Sequence, residues 1–228
     1  VKRSDYLSNI IKIYLIRHAR QNSTLCNVNV PLAEEGIKQS QLIGQRLKAY
    51  NISKVYSSDL IRAVMTADII RCEIDGNMDN RNCELIELRE MDFGELTGLP
   101  DSVLRVKYAN FFAARDLKLE DLRIPGGENG EEVYARMDKA INYIIEDTMR
   151  NDGENVAVIS HGGAIRCYLA GLLGMSQSHR YMIAKNMENT SITEIQYNVD
   201  KKVYSVERIN DYSHLEGYDN LLRKSIKR

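Results

Sequence analysis

The apolar run Ile10-Ile-Lys-Ile-Tyr-Leu-Ile16 ends directly on Arg17-His18, and this junction limits what the chain can become. A seven-residue stretch rich in β-branched and large apolar side chains suits a strand buried on both faces. Such strands belong to parallel sheets covered by helices. The pattern recurs along the chain. Pro31 opens a helical stretch with Ile43, Leu47 and Tyr50 on one face, and Lys54–Ser57 reads as a second strand. Ser58 or Asp59 can cap the next helix, whose apolar positions are Ile61, Met65 and Ile69. A third strand is expected at Cys83–Glu87 and a fourth at Val156–Ile159, followed by a helix over Gly162–Gly174. Between them, Val133, Met137, Ile141 and Ile144 mark a long helix after the break at Pro125-Gly126-Gly127. Thr190–Asn198 and Lys202–Ile209 complete the pattern as two strands turned at Asp200.

This alternation predicts an α/β fold: a three-layer α/β/α sandwich with a mostly parallel central sheet, closed as a single domain over 1–228. The breaker-rich stretch at about 93–130, with a helical region through Leu104, Tyr108 and Phe112, is expected to lie as a lid over the carboxyl ends of the strands. The basic amphipathic tail at about 211–228 reads as a solvated terminal helix.

Composition excludes several partners. The net charge of −1 offers no basic footprint for nucleic acid. The first apolar run carries Lys12, is too short to span a bilayer and lacks the flanks of a signal peptide, so no membrane association is expected. Cys26, Cys72, Cys83 and Cys167 form no C-x-x-C pair; they read as buried free thiols of a cytoplasmic protein without a metal site. Nothing in the sequence sets the oligomeric state.

Open α/β sheets bind ligands at the carboxyl ends of their strands. Arg17 and His18 follow the first strand, Arg62 begins the helix after the second, Glu87 and Glu90 follow the third, and His161 follows the fourth. Ala19 and the Gly162-Gly163 pair after the two histidines let backbone approach a ligand. Two guanidiniums and two imidazoles describe a pocket for an anion, and a tetrahedral phosphate suits it best. Beside such cations a histidine resists protonation and stays nucleophilic, while a neighbouring carboxyl can protonate a leaving oxygen.

These residues fall in ordered blocks. Leu15-Ile-Arg-His-Ala19, Pro31-Leu-Ala-Glu-Glu-Gly36 with Gln39, Val55-Tyr-Ser-Ser-Asp-Leu-Ile-Arg-Ala63, Leu88-Arg-Glu-Met-Asp-Phe-Gly94 and Val158-Ile-Ser-His-Gly-Gly163 resemble the signatures of the histidine phosphatase superfamily, also called phosphoglycerate mutase-like. The resemblance implies that His18 becomes a phosphohistidine and that Glu90 is the proton donor, with Glu87 the runner-up. It implies that Arg17, Arg62 and His161 hold the phosphoryl oxygens without a metal or other cofactor. Asn22, with Asn27 as the alternative, and Gly162 would add phosphate contacts. Ala19 stands in place of the usual glycine and Ala33 in place of a capping threonine. Leu96-Thr97 replaces the usual Trp-Glu before Gly98.

Ile124-Pro-Gly-Gly-Glu128 before a long helix resembles the phosphatase branch, including α-ribazole phosphatase-like and broad-specificity enzymes. The resemblance implies a phosphomonoesterase (EC 3.1.3) acting on a small phosphorylated metabolite. A cofactor-dependent phosphoglycerate mutase is the first alternative and a non-catalytic phospho-ligand binder the second.

Overall fold

Strand β1 (Ile10–Arg17) forms where the apolar run predicts it and stops one residue before His18. In the computed structural model, which describes residues 9–75, 83–151 and 153–223, its side chains feed two cores. Ile11, Ile13 and Leu15 enter one, and Tyr14 and Ile16 the other, as the period-two geometry of a strand dictates. The chain continues through α1 (Glu34–Leu47), β2 (Lys54–Ser57), α2 (Ile61–Asp75), β3 (Cys83–Glu84), α3 (Asp101–Lys107) and α4 (Ala109–Asp116). Then come α5 (Gly130–Arg150), β4 (Asn155–Ser160), α6 (Gly162–Leu172), β5 (Ile192–Asn198) and β6 (Val203–Asp211).

The sheet runs β3-β2-β4-β1-β5-β6. β1 to β4 are parallel, β5 is antiparallel to β1, and β6 is antiparallel to β5. Ile43 and Leu47 of α1 join Ala63, Ala67 and Ile70 of α2 on one face. Val133, Met137, Ile141 and Ile144 of α5 join Ala164, Ile165 and Tyr168 of α6 on the other. Burial of each large apolar side chain contributes about 1.5–3 kcal/mol, so this layered arrangement is the main source of stability.

Several local expectations change. α1 begins at Glu34 rather than Pro31, because Leu32 is bridged to Gln21 and the Ala33 N–H donates to Arg20 O. Ala33 supplies no side-chain cap, and Glu34 and Glu35 instead place negative charge in the first turn. Ile61 and its neighbours Met65 and Ile69 are not the buried face of α2; Ile61 is exposed, and the face toward the sheet carries the small Ala63 and Ala67. That turn buries Arg62 and Thr66 at the end of the sheet. Neither Ser58 nor Asp59 caps α2: Asn29 Oδ1 accepts from the Ile61 N–H, Ser58 bonds His161, and Asp59 pairs with Arg89.

β3 is only two residues long, since Ile86–Leu88 turns away and carries Leu88 into the core. The insertion at 93–130 holds α3 and α4, and it opens on a docked turn. There Gly94, at φ +45°, sits so close to Pro125 O that a Cβ would fall 2.3 Å from it. Of the thiols only Cys167 is buried; Cys72 lies exposed on the outward side of α2 and Cys26 and Cys83 are half-buried, correcting the expectation for all three. In the tail, residues 212–223 form no α-helix. They make a short helical turn at Ser213–Leu215 and further turns through Tyr218 to Leu221, which is buried. The rest of the tail, 224–228, lies outside the described residues. No helix among the described residues is long and apolar enough to cross a membrane.

Candidate active site

The carboxyl ends of β1, β2 and β4 open onto a pocket of about 700 Å³ lined by Arg17, His18, Arg62 and Glu90 among others. His18 is placed by backbone: its N–H donates to Ser160 O at 2.8 Å, and its carbonyl accepts from Asn189 Nδ2 at 2.8 Å. The ring lies 2.7 Å, through Nδ1, from the Ala19 carbonyl. A carbonyl only accepts, so Nδ1 carries the proton and Nε2 keeps its lone pair. Arg62 Nε donates to Nε2 at 3.3 Å. Burial, then the charges of Arg17 and Arg62, hold the His18 imidazole well below the usual histidine range. The His18 ring is therefore held neutral and oriented, with the Nε2 lone pair on the side of Arg62.

His161 packs against it, with ring centroids 4.9 Å apart. Its Nε2 shares a 2.7 Å hydrogen bond with Ser58 Oγ, and burial again pushes its pKa well down. Nδ1 is buried and has no protein partner, and the same holds for Arg17 Nε. Two orphaned polar nitrogens in one site are costly unless a ligand completes them. With Ser58 donating, His161 Nδ1 bears a hydrogen, and both atoms are then donors suited to anionic oxygens.

Arg62 is aimed by Val28 O at 2.9 Å and Asn27 Oδ1 at 3.0 Å, which hold its two amino groups. Asn27 adopts φ +46° and also donates to Met91 O, tying three segments at the rim. Asn22 is exposed, and its backbone N–H bonds Pro31 O. The structure thus brings Asn27 to the pocket and leaves Asn22 outside its lining. Arg17 donates to Met187 O at 2.5 Å; burial, then Arg223, pulls its guanidinium down to about 9, still charged at neutral pH.

Glu90 sits at the start of α6. Its Oε1 accepts from the Ala164 and Met91 N–H groups at 2.9 Å, and Oε2 from Gly163 at 3.1 Å. A Cβ at Gly163 would lie 2.5 Å from Oε1, so the glycine makes room for the carboxyl rather than for a ligand. Gly162 packs under Arg17, its would-be Cβ 3.3 Å from Nε. Glu87 is elsewhere, 3.0 Å from Lys139 Nζ.

Several positioning groups escape sequence reasoning. Arg136 of α5 donates to the carbonyls of Glu87, Arg89 and Glu90 at 2.7, 2.7 and 3.0 Å and pairs with Glu128, clamping the turn that carries Glu90. Asn189 and Arg223 come from segments far along the chain. One signal could have found Asn189: an antiparallel β5 starts at the end of the sheet where the parallel strands finish.

A family model of the histidine phosphatase superfamily, branch 1, matches residues 13–211. The chain belongs to this superfamily. Among its relatives in the superfamily, a protein of Cronobacter sakazakii named probable phosphoglycerate mutase GpmB is 30% identical over 218 residues, covering 91% of this chain and 96% of the relative. Among solved structures, mycobacterial glucosyl-3-phosphoglycerate phosphatase with inorganic phosphate superposes at TM-score 0.77 with 21% identity, over 90% of this chain and 99% of that one. Bacillus stearothermophilus YhfR superposes at 0.74 with 25% identity, over 90% and 100%. The mycobacterial likeness is one of fold alone.

Proposed function

We propose that this superfamily member is a phosphomonoesterase that transfers the phosphoryl group of a small metabolite to His18 Nε2 and then to water. The observation that carries the reading is the Nδ1 bond to Ala19 O, which leaves Nε2 unprotonated at the pocket floor between two arginines. In the first step Nε2 attacks phosphorus in line while the ester oxygen departs. Arg17, Arg62 and His161 stabilise the equatorial oxygens as charge develops. Glu90 passes a proton to the leaving oxygen. In the second step the Glu90 carboxylate takes a proton from water, whose oxygen attacks phosphorus and breaks the P–Nε2 bond. The cations are supplied by arginine, so no metal is assigned a role.

The names of the curated relatives favour a second reading, phosphoglycerate mutase chemistry. It uses the same phosphohistidine and differs in the acceptor, a second hydroxyl instead of water. Incubation with labelled phosphoester and acid-free quenching tests the shared step: label should be base-stable, acid-labile and absent from His18→Ala. Label on Ser160 or on a cysteine would sink the mechanism. Feeding 3-phosphoglycerate with a bisphosphoglycerate primer separates the two readings, since the phosphatase should release inorganic phosphate and form little 2-phosphoglycerate.

A further inference from the structure

The C-terminal segment carries a guanidinium to the pocket that the chemistry above leaves unused. After β6 the chain returns across α1, where Gln39 Nε2 and Arg20 Nη2 donate to Leu221 O at 2.7 and 2.9 Å. Arg20 Nη2 also donates to Leu222 O at 2.7 Å. The Glu188 carboxylate then accepts the Arg223 backbone N–H at 3.0 and 3.1 Å. These anchors grip main-chain atoms, so they fix where the Arg223 side chain departs without consuming its charge.

That side chain lines the pocket beside Arg17. Both guanidiniums donate to one acceptor, Met187 O, Arg17 at 2.5 Å and Arg223 at 3.1 Å. Among the described residues no ion pair joins Arg17, Arg62 or Arg223 to a carboxylate. The nearby Glu188 bonds the backbone N–H groups of Asn189 and Arg223, and its charge, with that of Glu90 near Arg17, offsets part of the repulsion between the guanidiniums without pairing with either. Two like charges converging on one carbonyl, Arg17 half-buried and Arg223 exposed, repel each other, and Arg223 lowers the preference of Arg17 for its charge. An oxyanion seated between them reverses the sign of that interaction and takes donors from both forks.

We propose that Arg223 is a third guanidinium ligand of the transferred phosphoryl group, delivered by the C-terminal segment to the Arg17 side of the pocket. The inference rests on the phosphohistidine reading and deepens it: the segment past Asp211, outside the region matched by the family model, becomes part of the phosphate cradle.

Equilibrium titration of the full chain with inorganic phosphate tests this without turnover, using wild type, Arg223→Gln and Arg223→Lys. Loss of a charge-assisted bond to a bound dianion weakens phosphate binding by about 10- to 100-fold in Arg223→Gln. Lysine keeps the charge and loses the fork, so Arg223→Lys should fall between the two. Ligand-free melting temperatures of all three should coincide, and KM should rise alike for aryl and alkyl phosphates. Unchanged phosphate affinity in Arg223→Gln overturns the inference. So does a defect confined to substrates bearing a second anionic group, which would move Arg223 to the leaving group. A lowered melting temperature with no rescue by lysine assigns Arg223 a structural role and also overturns it. If the wild type binds no phosphate, the phosphohistidine reading itself fails.

Discussion

A methyl group added at Gly163 would sit 2.5 Å from Glu90 Oε1 and 3.1 Å from the carboxyl carbon. Carbon and oxygen need about 3.5 Å, so the carboxyl must retreat by about 1 Å and loosen its bonds to the first N–H groups of α6. The side chain is flexible at its tip, and alanine is up to about 1 kcal/mol better than glycine within a helix. Gly163→Ala should therefore fold and melt close to wild type. Catalysis should suffer, because a displacement of about 1 Å costs about 10²-fold and loss of a general acid about 10²–10⁴-fold. The defect should depend on the leaving group. An alkoxide needs a proton in the transition state, whereas p-nitrophenolate scarcely does. We expect kcat/KM for glycerol phosphate to fall about 10²-fold and that for p-nitrophenyl phosphate to change little. Gly162→Ala is the control: its methyl group meets Arg17 Nε at 3.3 Å and should affect both substrates equally. An equal loss on both substrates in Gly163→Ala, or none on either, would refute the assignment of Glu90 as the acid.

Arg136→Met should show the same leaving-group dependence, because it frees the turn that Arg136 holds through three carbonyls, and should lower the melting temperature by removing about 1–3 kcal/mol; unaltered leaving-group dependence would argue against the clamp. EDTA should leave turnover unchanged if arginines supply the positive charge, whereas revival by added magnesium or manganese would place the chemistry elsewhere. Burial, then Arg46, holds His214 at about 4. The unfolded chain therefore binds this proton first as pH falls. Stability should be complete above about pH 6.5 and decline by about 3 kcal/mol toward pH 4, a slope that urea titrations should find reduced in His214→Asn. His18 and His161 are also held low, so the acid limb of kcat/KM should lie well below pH 6.5; a limb at the ordinary histidine value would contradict the burial argument.

The strand-end residues were legible because their position depends on local pattern. β1 is an apolar run interrupted only by Lys12 and β4 has the apolar core Val156–Ile159, and the residues after such a run land at the sheet edge whatever the rest of the chain does. The α5 stripe was legible for the same reason, with its four large apolar residues all buried. α2 misled because bulky Ile61 and Met65 dominate any apolar periodicity, while the actual contact uses alanines that let the helix approach the sheet. Asn27 was ambiguous because the number of residues between His18 and the rim depends on a turn through left-handed backbone, which spacing does not reveal. Arg136 and Arg223 act on main-chain carbonyls of distant segments, and carbonyls leave no trace in side-chain pattern.

The placement of β1 has a consequence for synthesis. Its two neighbours in the sheet are β4 and β5, and the Asn189 side chain that bonds the His18 carbonyl lies 171 residues downstream. Of the six strands of this sheet, the one synthesised earliest is thus among the last to be flanked on both sides. Closing such long loops before any contact rewards them slows folding. Until β5 emerges, Ile10–Ile16 offers an apolar, unpaired edge, the kind of surface on which nascent chains aggregate or recruit chaperones.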